Sequence, residues 1–567
     1  MASSPAFDQA QFIEDLIDLE VPAEVCLSPS GEHVVYTVST FGQKEEHKIA
    51  SLWTAQVGLQ DSALQVTSGS SHDRLPQWSP TGETVAFLSD RRDRGKSCAI
   101  YLLPTGRGEA YAVTNPENLR NITTFAWSPD GKFIAYLSAD EKTAKKREDE
   151  DAELYGADWQ FNRLRLLHVA TRTVTILCDK AAHVTKLAWS ADSKQIAYVL
   201  QDTPEIDSAG YNGVSFEMSS VLNKGNTFIS RFPGPVNGQI VYSLSTKDRK
   251  WSKHAHGQED CAATLSCTHG LFTVKVKAGL SDEIRLGNDT VIFPDEHEIK
   301  DWDVVETKKG DYVLSMTKSS ISRPAEVYSL TVSREERGKA GKLVRLTSHN
   351  RTIARLNLST AQAVRCDSAD GTTALEGLFL SPSKSSADET PVQKPLPTAV
   401  LIHGGPYDRT TTRFDTAYYR WSPLLLSTRN NGILMPNYRG GSGRGEAFAA
   451  YARGRMGTVD YDDVISLVDE GIRSGLVDRH NIVVGGWSQG GFLSYLMAVW
   501  RSGSLDGSKD DGKSWKIKGA ICGAGVTDWD MMSMTSDFPW SESELAGGAP
   551  WEVEDEGVDT IASPARW

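Results

Sequence analysis

No stretch of the 567 residues approaches the run of about 18 apolar side chains that a membrane-spanning helix needs. Positive charge is in deficit. The 60 Lys and Arg face 74 Asp and Glu, a formal net charge of −14. That balance argues against nucleic acid and anionic membrane as partners, since both are polyanions. The opening residues, Met1-Ala-Ser-Ser-Pro-Ala-Phe-Asp8, hold neither a basic stretch nor an apolar core, so no signal peptide is apparent and the cytoplasm is the expected location. Cysteine is scarce. The seven residues, at 26, 98, 178, 261, 267, 366 and 522, form no C-x-x-C pair, which excludes the usual zinc and dithiol motifs. His254, His256, Cys261 and Cys267 match no tetrahedral zinc spacing. No metal and no cofactor is expected.

Histidine shows the most telling shortage. There are 12, the last is His480, and the chain runs on to Trp567. Residues 485–491 read Gly-Gly-Trp-Ser-Gln-Gly-Gly, so Ser488 sits in a G-x-S-x-G frame. An apolar β-branched run, Asn481-Ile-Val-Val, precedes it, and a helical stretch from Phe492 follows. Strand, sharp turn on a serine, then helix is the setting of a nucleophile elbow, in which the partners follow in the order Ser, acid, His. Here every histidine precedes Ser488. Further upstream, Ala399-Val-Leu-Ile-His403-Gly-Gly-Pro is an apolar strand running into a glycine turn. Such a turn supplies one backbone N–H of an oxyanion hole, and the residue after the nucleophile supplies the other. Gly405 and Gln489 are the candidates. The expectation is a serine hydrolase that stops before its general base, nearly inert as written while still presenting a shaped oxyanion site.

The first ~360 residues are organised by a repeat. Leu27-Ser-Pro-Ser-Gly-Glu-His-Val-Val-Tyr36 returns at Trp78, Trp127 and Trp189, in steps of 51, 49 and 62 residues. Each unit is a strand, a Pro/Asp/Gly turn and a second strand, which at this period reads as a propeller blade. The length allows roughly seven blades. The recurring tryptophans are expected to pack between blades. Two stretches interrupt the pattern. Residues 140–154 are a charge run, read either as a solvated segment or as acids, Glu148 to Asp151, that meet a peptide ammonium. Residues 234–269 are polar and expected to be loop-rich. Beyond 360, a hairpin turning at Asp370-Gly371 leads into alternating strands and helices at 399–403, 432–436, 458–475, 481–487, 490–501 and 518–523, an α/β sheet.

These motifs, with Asn437-Tyr-Arg-Gly-Gly-Ser-Gly-Arg-Gly445, Gly457, Asp460 and Asp463, resemble the prolyl oligopeptidase family of serine peptidases. His403-Gly-Gly-Pro, Gly525-Val-Thr-Asp-Trp529, Glu544-Leu-Ala-Gly-Gly-Ala-Pro-Trp551 and Ser563-Pro564 favour its acylaminoacyl-peptidase and dipeptidyl-peptidase V-like branch. The resemblance implies an N-terminal helical segment at 1–20, a β-propeller at 21–360, and an α/β-hydrolase peptidase domain at 361–567. It implies Ser488 as nucleophile and short peptides as substrates. In this family the acid and histidine come after the Ser563-Pro564 boundary, so a truncated form is expected. A catalytically dead binding or scaffolding protein that uses its propeller is the alternative, and the missing histidine supports it.

Overall fold

The computed structural model describes residues 8–139, 159–205 and 214–548 apart from short gaps, the longest being 221–229, 233–240, 384–394 and 502–514. Between 206 and 274 only the strands are described, without their side chains. The charge run at 140–154 and the Ser563-Pro564 boundary lie outside the described residues. No helix among them is long and apolar enough to cross a membrane.

Helix α1 (Gln9–Ile17) opens on Asp8, whose carboxylate accepts from the Ala10 and Gln11 N–H groups. That satisfies donors the first turn leaves orphaned. Its apolar face buries Phe12, with Leu19 just beyond, against Ile353, Leu358 and Phe414. The N-terminal segment is therefore held by residues far along the chain.

Among the described residues, six four-stranded antiparallel sheets and one two-stranded sheet follow in chain order, at 20–65, 74–112, 122–178, 183–232, 241–254, 260–292 and 298–345. The repeated motif builds the first turn of the first four. In each, a serine hydroxyl accepts from the backbone N–H five residues on, as Ser28 does from His33 and Ser128 from Phe133 at 2.9 Å. Gly31, Gly82 and Gly131 take φ of 74°, 75° and 71°, which glycine adopts without a Cβ clash. Trp78, Trp127 and Trp189 each end the first strand of their sheet. The Trp78 indole donates to Cys26 O and the Trp189 indole to Ala126 O, both at 3.1 Å, so these rings join one sheet to the one before. The first sheet packs on the second through Val35, Leu52, Val85 and Phe87. On its other side it packs on the sheet at 298–345, through Val25, Tyr36, Val313, Val327 and Leu346.

Residues 234–269 are not simply loop, because strands run at Val241–Leu244, Trp251–His254 and Asp260–Thr268. The last pairs with Leu271–Ala278 along most of its length. Small and polar residues hide the alternation there, and the strand is specified by its partner instead.

The α/β unit is a six-stranded sheet. Its strands are β1 (Ser359–Asp367), β2 (Ala374–Pro382), β3 (Leu396–Ile402), β4 (Gly432–Asn437), β5 (Val477–Trp487) and β6 (Ile517–Gly523). Their order is β1-β2-β4-β3-β5-β6, with β4, β3, β5 and β6 parallel. The β1–β2 hairpin turns at Asp370-Gly371 as the sequence predicts. Helices α2 (Val459–Arg473) and α3 (Gln489–Arg501) flank the sheet, and Val464, Leu467, Val468, Phe492, Leu493 and Leu496 bury into one core with Val400, Leu434 and Val484. Strand β6 is the sheet's edge among the described residues. Ile521 on β6 is 60% exposed beside Val483 of β5 at 44%.

Candidate active site

Ser488 is the single residue between β5 and α3, at the C-terminal end of a parallel strand, where open α/β sheets place ligands. Its φ is +55°, a left-handed conformation that costs a non-glycine residue energy and is found at functional turns. Neighbouring glycines make the turn possible. A Cβ on Gly490 would lie 2.1 Å from the Ile402 carbonyl oxygen, and one on Gly486 would lie 2.5 Å from the Gly490 carbonyl carbon. The Ser488 N–H donates to Gly523 O at 2.9 Å, which ties the elbow to the end of β6. Ser488 itself is half-buried.

The turn after β3 closes on this elbow. A Cβ on Gly404 would lie 2.8 Å from Trp487 O and 3.4 Å from the Ser488 Cβ. Gly405 has φ +130°, and its added Cβ would lie 2.4 Å from the Tyr407 nitrogen, so no other residue fits. Gln489 is the first residue of α3, a position whose N–H has no intrahelical acceptor. Among the described residues, neither the Gly405 nor the Gln489 N–H has a hydrogen-bond acceptor. Two open donors beside a serine hydroxyl are the chemistry an oxyanion hole requires. The three residues singled out from the sequence, Ser488, Gly405 and Gln489, thus belong to two turns in contact.

His403 holds this turn rather than serving Ser488. It is fully buried and its ring stacks on Tyr438, with centroids 4.3 Å apart and planes 10° apart. Its Nδ1 donates to Gly404 O at 2.8 Å, and its own carbonyl accepts from the Tyr438 hydroxyl at 2.8 Å.

Beneath the elbow lies a charged layer whose connections sequence reasoning missed. Asp460, in the first turn of α2, accepts from the Gln489 side-chain amide at 2.7 Å. Burial pushes the Asp460 carboxyl up to about 7, although hydrogen bonds from the Gly457 and Tyr461 N–H groups oppose this. Asp463 binds the fully buried Arg439 through two side-chain bonds of 2.8 Å, and Arg439 reaches Asp370 at 2.7 Å. Asn437 clasps Thr410, accepting from its N–H at 2.6 Å and donating to its carbonyl at 3.0 Å. The signal was present: Asp460 and Asp463 share the helix face of Val464 and Leu467, where an unpaired acid would be costly.

A cavity of about 930 Å³ lies elsewhere, lined by Glu20, Glu24, Trp53, His72, Arg74 and Asp301 among others. None of its lining comes from the α/β sheet.

Residues 417–565 match the model of the prolyl oligopeptidase family. Across most of its length the chain is similar to two curated proteins. An uncharacterized peptidase, YuxL, of Bacillus subtilis is 21% identical over 93% of this chain and 83% of that protein. Dipeptidyl-peptidase 5 of Porphyromonas gingivalis is 23% identical over 94% and 81%. The fold is similar to that of uncomplexed Pyrococcus horikoshii acylaminoacyl peptidase, with a TM-score of 0.73 at 17% identity, covering 97% of this chain and 84% of that one.

Proposed function

We propose that this chain, a serine peptidase carrying a prolyl oligopeptidase family domain, releases acylated residues or dipeptides from short peptides through an acyl-enzyme on Ser488. The observation that supports this most is the pair of acceptor-free N–H groups, Gly405 and Gln489, beside a serine held at φ +55°. Ser488 Oγ bonds to the peptide carbonyl carbon and gives up its proton to a general base. The carbonyl π electrons move onto oxygen, where the two N–H groups meet the new charge. One such donor contributes roughly 3–4 kcal/mol. Collapse breaks the C–N bond, the amine leaves with a proton, and water then releases the acyl group. Because the donors are backbone groups of two packed turns, they need no reorganisation when the charge forms.

We place the helical segment at 1–20, the propeller at 21–360 and the hydrolase domain at 361–567. Packing of the first sheet on both the second and the one at 298–345 supports a closed ring of seven blades. A ring above the elbow restricts entry to short peptides. No described histidine hydrogen-bonds Ser488. A serine without a base at hydrogen-bond distance loses about 10⁴–10⁶ in rate, so slow acylation is expected of Ser488 in the arrangement described.

Fluorophosphonate labelling tests both parts. Slow labelling of the 567-residue chain, mapped to Ser488 and abolished by Ser488→Ala, is expected. Fast labelling lost in that variant would mean that an upstream histidine acts as base. Labelling unaffected by it would remove Ser488 as nucleophile.

A further inference from the structure

We propose that Arg409 is a positioning residue through which the propeller holds the oxyanion turn in place. This rests on the reading of Gly405 as an oxyanion donor. Arg409 lies four residues past Gly405 in the loop that leaves β3. Its side chain is 5% exposed, yet it does not bind the hydrolase sheet. The guanidinium donates to Gly279 O, to Ser281 O at 2.8 Å, and to the Asp282 carboxylate, which is 1% exposed. All three acceptors belong to one turn of the sheet at 260–292. The second Asp282 oxygen accepts from Ile299 N at 2.9 Å, in the first strand of the next sheet. One buried carboxylate therefore joins two propeller sheets to the loop carrying Gly405.

The rest of the contact is built around this grip. Gly279 N–H donates to Gly443 O and Thr412 N–H to Leu280 O, both at 3.0 Å. A Cβ on Gly443 would lie 2.8 Å from the Arg409 Cδ, so glycine leaves the room the arginine stem occupies. Ser442 N–H donates to Asp408 O at 3.0 Å, and Asn437 clasps Thr410. These bonds leave residues 408–412 little freedom relative to the 279–282 turn. Gly405 inherits the constraint, because its turn folds back onto the Tyr407 and Asp408 nitrogens at 2.4 and 2.6 Å from its added Cβ. Arginine suits this role: its planar fork meets three acceptors at once, which a lysine ammonium does not match in geometry.

Reciprocity gives a test on the unaltered chain. A ligand that uses the Gly405 N–H should order the propeller turn coupled to it. Amide hydrogen exchange is followed with and without saturating N-acetyl-phenylalanine boronic acid, a tetrahedral mimic that bonds to a serine hydroxyl. Slowed exchange at 404–410 is expected to extend to 279–282 and 299, by about tenfold. Protection that ends at 410 overturns the proposal. In Arg409→Lys and Asp282→Asn, exchange at 404–408 should rise about tenfold, while the peptide spanning 481–487 is unchanged. Boronate affinity should fall by about 5- to 150-fold. Variants that bind the boronate like the parent chain, with unaltered exchange at 404–408, also overturn it. Boronate binding that fails, or that persists in Ser488→Ala, counts instead against the Ser488 and Gly405 reading.

Discussion

Replacing Ser488 measures the strain in its turn. Ser488 has φ +55°, where an L-residue is destabilised by roughly 1–2 kcal/mol relative to the right-handed region. Glycine escapes that cost but loses roughly 0.5–1 kcal/mol more conformational freedom on folding. Ser488→Gly should therefore be more stable than Ser488→Ala by about 0.5–1 kcal/mol. Ser494 supplies the control. It lies in α3, and its hydroxyl donates to Gly490 O at 2.7 Å, a bond that either substitution removes equally. There the order reverses, with alanine ahead of glycine by about 1 kcal/mol, because the backbone is helical. Urea unfolding of the four variants, followed by tryptophan fluorescence, reads the difference. A Ser488→Gly variant no more stable than Ser488→Ala would refute the strained elbow.

Gly490→Ala should destroy the elbow, since its Cβ would fall 2.1 Å from Ile402 O. A loss of about 3 kcal/mol or more is expected, and a variant as stable as the parent chain contradicts the packing. Burial raises the Asp460 carboxyl from an ordinary 3.8 to about 7 in the folded chain, so the folded chain holds its proton where the unfolded chain has released it. Stability from this group is full below about pH 4 and lost as pH rises through about 7. Asp460→Asn should accordingly gain about 2–3 kcal/mol relative to the parent between pH 5 and pH 8, and a constant difference between the two curves would contradict the shifted carboxyl. Ile521 and Val483 leave an apolar face beside β6, which among the described residues is an edge of the kind that recruits another strand. Ile521→Lys should lower light scattering of the chain in solution, and unchanged scattering would show that this face does not drive association.

The elbow was legible because its constraints are local. Strand, glycines, serine and helix adjoin in sequence, and each glycine is demanded by a contact within a few ångströms. The blades were legible because a Ser-x-x-Gly turn and a closing tryptophan recur. What escaped was non-local polar pairing. Arg409 and Asp282 stand 127 positions apart, and neither carries a local signal that sets it apart from a solvated charge. Asp460 was visible as part of a motif, but its bond to the Gln489 amide is a product of packing two helix starts together. The strand Asp260–Thr268 was obscured by its small polar residues, since strand pairing there is fixed by its neighbour.

A crystal structure with N-acetyl-phenylalanine boronic acid bound tests the central claim most directly. Boron should be bonded to Ser488 Oγ, with one of its oxygens roughly 3 Å from both the Gly405 and Gln489 nitrogens. Boron attached to another side chain, or a boron-bound oxygen turned away from both N–H groups, would contradict the account.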